Sequence, residues 1–438
     1  MSITSALSAN LSDALRGRVW TPEHDEFEKR SRPWNLAIAQ QPAAVVEAAD
    51  ADDVATLVRV ADSAGLAVST QPNGHGASGR VDDTILLRTG RLDGISVDPV
   101  ARRAVIGAGV RSGDLQRAVA EHGLTALPGS SPVVSVTGVA LGGGLSWFGR
   151  AHGWVADSVT AFDVVDAHGR RLHATPDEHP DLYWALRGGG GDYAIVTALE
   201  IALHPAPHVF GGRMSWTGEH TRAVAEAFRA LTSTAPEELT AWLTMLQFPG
   251  AEPLVALDVT YLGTEVDARR LLSSLDALPA PASDTRRAMS VAELGSITGE
   301  PTAPGPGASH AELITALDDA ALDALVSEPI APLLSVQVRH LGGAFARPSD
   351  SPHGALGEPY ALYMFGLPLG EEAARAIRAK QAALAAALPT SGRKPVTFLD
   401  PTERLSDALP PESIERLRRI KREYDPRGLI RANFTSLE

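Results

Sequence analysis

Along the first half of the chain, apolar residues fall in short bursts whose spacing switches between that of helices and that of strands. Asp52 and Asp53 precede Val54, Leu57, Val58, Ala61 and Ala64, and Gly65 follows, a pattern that predicts a helix with a glycine stop. Residues 66–70 read as a short strand entering the turn Asn73-Gly74-His75-Gly76-Ala77-Ser78-Gly79. Strands are predicted over 84–88, 94–98 and 103–107, the last two joined by the hairpin-type turn Asp98-Pro99-Val100-Ala101. Ser112 caps a predicted helix over 113–122 that Gly123 stops, and further strands are expected over 158–166 and 193–203. Up to about residue 207 the pattern is that of an α+β domain wound around three glycine-rich loops.

The texture then changes. Helices predicted over 219–234, 265–277, 309–327 and 371–388 separate strands over 238–247, 253–262, 333–340 and 360–367, which suggests an antiparallel sheet with helices on one face. Residues 298–308 and 347–359 are Pro/Gly loops. A last helix over 411–423, opened by Pro410 and Pro411, leads to a tail that reaches Asn433. Residues 1–35, broken by Pro22 and Pro33, read as a polar surface lead-in. The expected organisation is 1–207, 208–395 and 396–438.

Composition removes several classes of function. The 438 residues carry a net charge of −14, so nucleic acid and anionic membrane surfaces are poor partners. There is no cysteine, which excludes disulfides, thiolate metal sites, iron–sulfur clusters and thiol nucleophiles. The only lysines are Lys29, Lys380, Lys394 and Lys421, none in a glycine-rich turn. No basic head is followed by an apolar run at the N-terminus, and no 18-residue apolar window occurs, so a cytoplasmic globular protein is expected.

Gly74-His75-Gly76-Ala77-Ser78-Gly79 fits the dinucleotide fingerprint in letters only. That fingerprint needs a helix opening at its end, and Arg80-Val81-Asp82-Asp83 leads into another strand. The runs Leu141-Gly142-Gly143-Gly144 and Arg187-Gly188-Gly189-Gly190-Gly191 add two more backbone-exposing loops within 120 residues. Each alone could be a sharp turn in a packed fold; together they suggest a large cofactor lying along several loops. No His, Asp or Glu lies at ligand spacing from His75, which argues against a metal there. His340 ends a predicted strand and faces either a substrate or a carbonyl. Gly144-Leu145-Ser146-Trp147-Phe148 misses the hydrolase elbow at its last position, and no Walker A motif occurs, which leaves an organic cofactor as the carrier of chemistry.

The series Asn73-Gly74-His75-Gly76, Pro128-Gly129-Ser130-Ser131-Pro132, Leu141 to Gly144, Pro180-Asp181-Leu182-Tyr183-Trp184-Ala185-Leu186-Arg187 with its four glycines, and Tyr424-Asp425-Pro426 through Asn433 resembles the berberine-bridge-enzyme-like branch of the vanillyl-alcohol-oxidase flavoproteins. The resemblance covers nearly the whole chain, Trp34-Asn35 included. It implies a PCMH-type FAD-binding domain of two α+β subdomains, a substrate domain whose antiparallel sheet covers the flavin ring, and a C-terminal segment returning to the FAD domain.

By the same resemblance, His75 matches the histidine that links to the flavin 8α-methyl group, which would raise the flavin's electron affinity. A second link is impossible because Ser131 stands where some members carry cysteine. Gln71-Pro72-Asn73-Gly74-His75-Gly76 departs from the common Arg-x-Gly-Gly-His-Ser form, and Asp192-Tyr193-Ala194 replaces Asn-Phe-Gly. Cofactor contacts are implied for Asn73, Gly74, His75, Gly76, Ala77, Ser131, Val136, Gly138, Gly142, Gly143, Gly144, Ile195, Val196 and Asn433. Val136 falls at the family's oxygen gate, where a small residue points to an oxidase. Tyr363 falls closest to the position of the catalytic base, and His340 lies in a family loop. The expected function is an FAD-dependent oxidase that takes hydride from a C–H beside an alcohol, amine or otherwise activated carbon of a small natural product, with O2 returning as hydrogen peroxide. The alternatives are a dehydrogenase that avoids oxygen, a drug-radical oxidase conferring resistance, and a flavin-bearing protein that binds a small molecule without turning it over.

Overall fold

Residues 3–434 are described by a computed structural model, with side chains from Leu7 onward. The first subdomain is a four-stranded sheet in the order Arg18–Trp20, Ala44–Glu47, Thr84–Arg88, Ala67–Thr70. The last three strands run parallel, so a crossover is needed between the second and the fourth. The helix Ala51–Ala64 supplies it: Asp50 accepts from the amides of Asp52 and Asp53, and Gly65 closes the helix in the left-handed region at φ 68°. The second subdomain is a five-stranded antiparallel sheet, Ile95–Asp98, Arg103–Gly107, Ile195–Ala202, Val159–Val165, Arg171–Ala174.

The second half of the chain forms one antiparallel sheet. It runs Ser283–Asp284, Val209–Thr217, Leu254–Leu262, Leu239–Leu246, Ser335–His340, Tyr360–Gly366, Ala308–Ile314, with Arg287–Met289 also pairing the second strand. Helices Thr221–Thr232, Asp319–Val326 and Glu371–Ala386 pack on one face, where Val224, Phe228, Leu322, Leu325 and Ile377 share a core with Leu243, Val338 and Leu362.

Three expectations need correction. The lead-in is not a broken surface segment: Ile3–Ala14 is a helix, and Leu7, Leu11 and Leu15 bury a stripe at four-residue spacing in the core of the first subdomain. Residues 309–327 are not one helix. Ala308–Ile314 is an edge strand with Ala311 and Leu313 buried, and Asp318 then caps a shorter helix, Asp319–Val326. Val209–Thr217, not expected as a strand, pairs along its full length with Leu254–Leu262.

The C-terminal helix Pro411–Tyr424 sets Ile414, Leu417 and Ile420 into the core of the second subdomain, and Arg416 reaches Asp181 at 2.7 Å and the Trp184 ring at 3.9 Å. The tail then clips onto the first subdomain: Val68 N donates to Leu429 O at 2.7 Å and Arg431 N to Val68 O at 2.8 Å.

This large sheet is stapled to the second subdomain by Arg150, 5% exposed, on the short helix Gly149–His152. Its Nε donates to Leu239 O at 2.8 Å, its Nη2 to Ala235 O and Pro236 O at 3.1 Å, and its Nη1 to His340 Nε2 at 2.9 Å and to Leu341 O. Gly149 makes the approach possible, since a Cβ there would sit 2.0 Å from the Phe345 ring. Beside it, the Trp147 and Trp242 rings stack at 3.6 Å across the same seam.

Arg150→Met removes the donor from several buried carbonyls at once. It is expected to destabilise the protein by about 2–4 kcal/mol and to separate the unfolding of the two sides in thermal scans. A change below about 0.5 kcal/mol would show that the staple is decorative.

Candidate active site

Four chain segments meet around His75. Asn73 Nδ2 donates to Val133 O at 2.7 Å, tying the His75 turn to the 128–138 segment, and Trp34 N donates to Asn73 O at 2.8 Å. Asn433 holds the turn from the other side: its Oδ1 accepts from Ser78 N and Oγ at 3.2 and 3.0 Å, and its Nδ2 donates to Gly76 O at 2.8 Å. Its own amide donates to Asp192 Oδ1 at 3.3 Å, which brings in the 188–196 loop. Gly74 sits at φ 76°, and a Cβ there would be 2.8 Å from Pro33 Cβ, whereas a Cβ on Gly76 would meet open space. Ala77 is buried under the turn.

The His75 ring stacks on Trp34 at 4.2 Å, and neither of its buried nitrogens has a hydrogen-bond partner. Burial, seconded by the charge of Arg111, pushes its pKa down to about 4, so the imidazole is neutral at pH 7. Two orphaned, buried ring nitrogens are what a site for an absent ligand leaves behind. Trp34 belongs to the sequence resemblance, but its stacking does not show in sequence. Nothing in the sequence pointed to Arg111.

The other implied cofactor residues divide. Ser131 is half-buried, Gly138 is exposed, and Val136 is a buried first residue of the helix Val136–Leu141 with its amide on Val110 O at 3.0 Å. Ile195 and Val196 bury their side chains in different cores, so only their backbone is free to meet a ligand. The run Gly142-Gly143-Gly144 needs a different explanation from an open backbone cradle. The Gly142 amide donates to Gly138 O and Val139 O, and the Gly143 amide to Ala140 O. Cβ atoms on Gly142, Gly143 and Gly144 would meet Thr397, His353 and Val139, at 3.2, 2.5 and 2.6 Å. Gly188 meets His353 likewise, at 2.7 Å. Gly143 and Gly188 make room for the buried His353, which stacks on Trp154 at 4.4 Å, while Gly142 and Gly144 admit Thr397 and Val139.

Across the seam, the antiparallel register sets Trp242 beside Arg339, Gln337 beside Tyr363, and Arg213 beside Asp258. Arg213 grips Asp258 through Nε–Oδ1 at 2.5 Å and Nη2–Oδ2 at 2.9 Å, and Thr244 Oγ1 adds 2.8 Å. Arg339, 6% exposed, lies 4.1 Å from the Trp242 ring centroid and 5.1 Å from those of Tyr363 and Phe398. Its Nε and Nη2 both donate to Gln337 Oε1, at 3.0 and 2.7 Å. Burial lowers its pKa while Glu300, Tyr363 and Asp258 oppose that shift. Burial also raises the Tyr363 phenol above its ordinary value, with Arg339 opposing. His340 needs correcting as a substrate-facing candidate. One residue on from Arg339, it points to the other face of the sheet, where it accepts from Arg150 and lies 5.8 Å from Tyr360.

The model of the FAD binding domain family matches residues 42–175. Over 466 aligned positions the chain is 30% identical to (R)-6-hydroxynicotine oxidase of Paenarthrobacter nicotinovorans, covering 99% of this chain and 98% of that protein. The solved 6-hydroxy-D-nicotine oxidase of Arthrobacter nicotinovorans superposes with a TM-score of 0.85 at 26% identity, over 96% of this chain and 98% of that one. Physcomitrella patens BBE-like 1 shares the fold, with a TM-score of 0.86 at 21% identity over 99% of each chain. The chain belongs to the berberine-bridge-enzyme-like FAD-linked oxidases. It is an FAD-dependent oxidoreductase with the α+β fold of that family.

In this family member a strap, residues 394–403, carries Phe398 to within 5.1 Å of the Tyr363 ring. A charged cluster holds the strap. His310 Nε2 and Glu312 Oε1 lie 2.9 Å apart, Lys394 Nζ lies 3.3 Å from Glu312 Oε1 and also pairs with Glu403, and His310 Nδ1 is 3.7 Å from Asp400. His310, Asp400 and Glu403 have the donor types of a metal site within 4.8 Å of one another, but Lys394 and His310 already supply their positive charge. Hydrogen bonds to Asp400 and Glu312 push His310 up to about 9.

Burial holds His75 and His204 at about 4, and His340 and His353 at about 3, against an ordinary 6.5. Between those values the unfolded chain binds protons the folded one refuses. The stability they contribute is therefore complete above pH 6.5 and drains as pH falls, each adding up to about 1.4 kcal/mol per pH unit. His310 has the opposite sign: its contribution is complete below pH 6.5 and is lost as pH rises through about 9. His310→Gln should cost about 2–3 kcal/mol at pH 6 and flatten the alkaline limb of the melting-temperature profile; because His310 also holds the Asp400 and Glu312 carboxyls low, part of the acid limb should flatten with it.

Proposed function

We propose that this chain is an FAD-dependent oxidase that oxidises an activated C–H of a small organic molecule, with molecular oxygen as the second substrate, in the cytoplasm. The observation that carries the reading is His75: a half-buried, neutral imidazole whose two nitrogens are buried and unpartnered, on a turn that Asn73 and Asn433 lock to the neighbouring loops. A neutral ring nitrogen is the form that can bond a flavin carbon, so one covalent link through His75 is part of the proposal. Backbone and side chains of 73–77, the 131–138 segment, the start of Ile195–Ala202 and Asn433 would hold the cofactor. When bound, FAD supplies the two-electron chemistry.

The protein's own part is to bind, orient and keep dry. Trp147 and Trp242 exclude water at the seam, and Val136 leaves a small side chain where the family gates oxygen. With its pKa raised, Tyr363 stays protonated at neutral pH. It would therefore steer a substrate hydroxyl or amine through its phenol rather than act as a phenolate base.

Yellow colour should stay in the acid-precipitated pellet of the wild-type protein and move to the supernatant for His75→Ala. Colour wholly in the wild-type supernatant would leave the fold and remove the link. Under air, substrate turnover should yield hydrogen peroxide, and flavin reduction without peroxide would select the dehydrogenase alternative. Tyr363→Phe should lower kcat by about 100-fold without loss of flavin; unchanged turnover would remove Tyr363 from the reaction.

A further inference from the structure

The least explained buried charge is Arg339. The residue is 6% exposed, yet no carboxylate of the described residues makes an ion pair with its guanidinium. Asp258, the nearest fixed anion on the same sheet face, is taken up by Arg213 and Thr244. Glu300, on the loop that follows the turn Val291–Ser296, influences Arg339 and Arg213 electrostatically but bonds neither. Gln337 satisfies only the Nε–Nη2 edge of the fork, and Nη1 makes no hydrogen bond within the described chain. The ring faces around it and Gln337 offset part of its lost hydration, yet the free end of the fork is bonded to no anion, and something that carries one would be held there.

The surroundings say what that something is. Trp242, Tyr363 and Phe398 pack on the guanidinium at 4.1–5.1 Å, with Trp147 stacked on the far face of Trp242, and the free end of the fork presents the paired N–H groups that match a carboxylate. Arg339 and Tyr363 lie on adjacent strands of the sheet, with Gln337 in direct register beside Tyr363, so an anion on Arg339 places the rest of its molecule against the phenol.

We infer that the substrate is a small organic carboxylate, held by its carboxylate on the free end of the Arg339 fork beside Tyr363. The carboxylate is a handle and not the reacting group. The inference rests on the oxidase reading above and narrows it, setting this site apart from one that would recognise an uncharged or cationic amine.

The test is calorimetric binding of non-reacting probes to the flavin-loaded protein: phenylacetate, its uncharged amide phenylacetamide, and the cation phenethylamine. Phenylacetate should bind at least about tenfold more tightly than either. Arg339→Gln should abolish that preference, Arg339→Lys should keep part of it, and Glu300→Gln, on an exposed loop, should tighten phenylacetate by about threefold. Equal binding of the amide or the amine, no saturable binding of phenylacetate, or a preference that survives Arg339→Gln in protein that retains its flavin would each overturn the inference. Flavin content and peroxide yield are read separately, so an oxidase without anion preference and a protein without oxidase activity give different results.

Discussion

The Arg150 guanidinium holds the molecule's two halves in register. It leaves a four-residue helix of the FAD-binding side and spends its donors on main-chain oxygens at Ala235, Pro236, Leu239 and Leu341 and on the His340 ring. Main-chain acceptors cannot move without moving their strands, so the staple sets where Leu239–Leu246 and Ser335–His340 lie against the loop carrying Trp147. The stack of Trp147 on Trp242, the nearness of Arg339 to that stack, and the distance of Tyr363 from the flavin-side loops all follow from this docking. His340 is therefore a structural acceptor, its basicity depressed first by burial and then by the Arg150 charge.

Around the cofactor side, the chain keeps several imidazoles neutral by burial. His353 fills the space that Gly143 and Gly188 leave, His204 stacks on His152, and His75 stacks on Trp34. The first two have packing roles that account for them. His75 does not: it has an aromatic support, no hydrogen bond, and a turn that glycine alone can form at Gly74. The difference between a packed histidine and one waiting for a partner is visible in which nitrogens are satisfied.

The strap 394–403 adds a second kind of control. Its charged cluster fixes it to the edge strand Ala308–Ile314, and its Phe398 completes the aromatic wall beside Arg339. Site shape therefore depends on ion pairs outside the site, in which His310 and Lys394 lose their contribution as pH rises while Glu312 and Asp400, like the buried histidines, lose theirs as it falls.

Most of the frame was legible in the sequence. The strands over 84–88, 103–107 and 360–367, the helix stopped by Gly65, and the His75 turn were readable because each is set by spacing or turn chemistry within a few residues. The stripe Leu7, Leu11, Leu15 was also there to read but was masked by the polar residues around it. The family motifs, likewise local runs, determined the cofactor class. Other features were decided only by tertiary structure. Residues Arg339 and His340 are neighbours in sequence, and the two-residue period of a strand sends one to the site and the other to the staple, a choice set by register with strands about a hundred residues earlier. The glycine run 142–144 looked like a cradle, but its purpose lies with His353 and Thr397, more than two hundred residues away. Where the reason for a residue is a partner distant along the chain, single-sequence spacing carries no record of it, because the constraint exists only once the chain has folded.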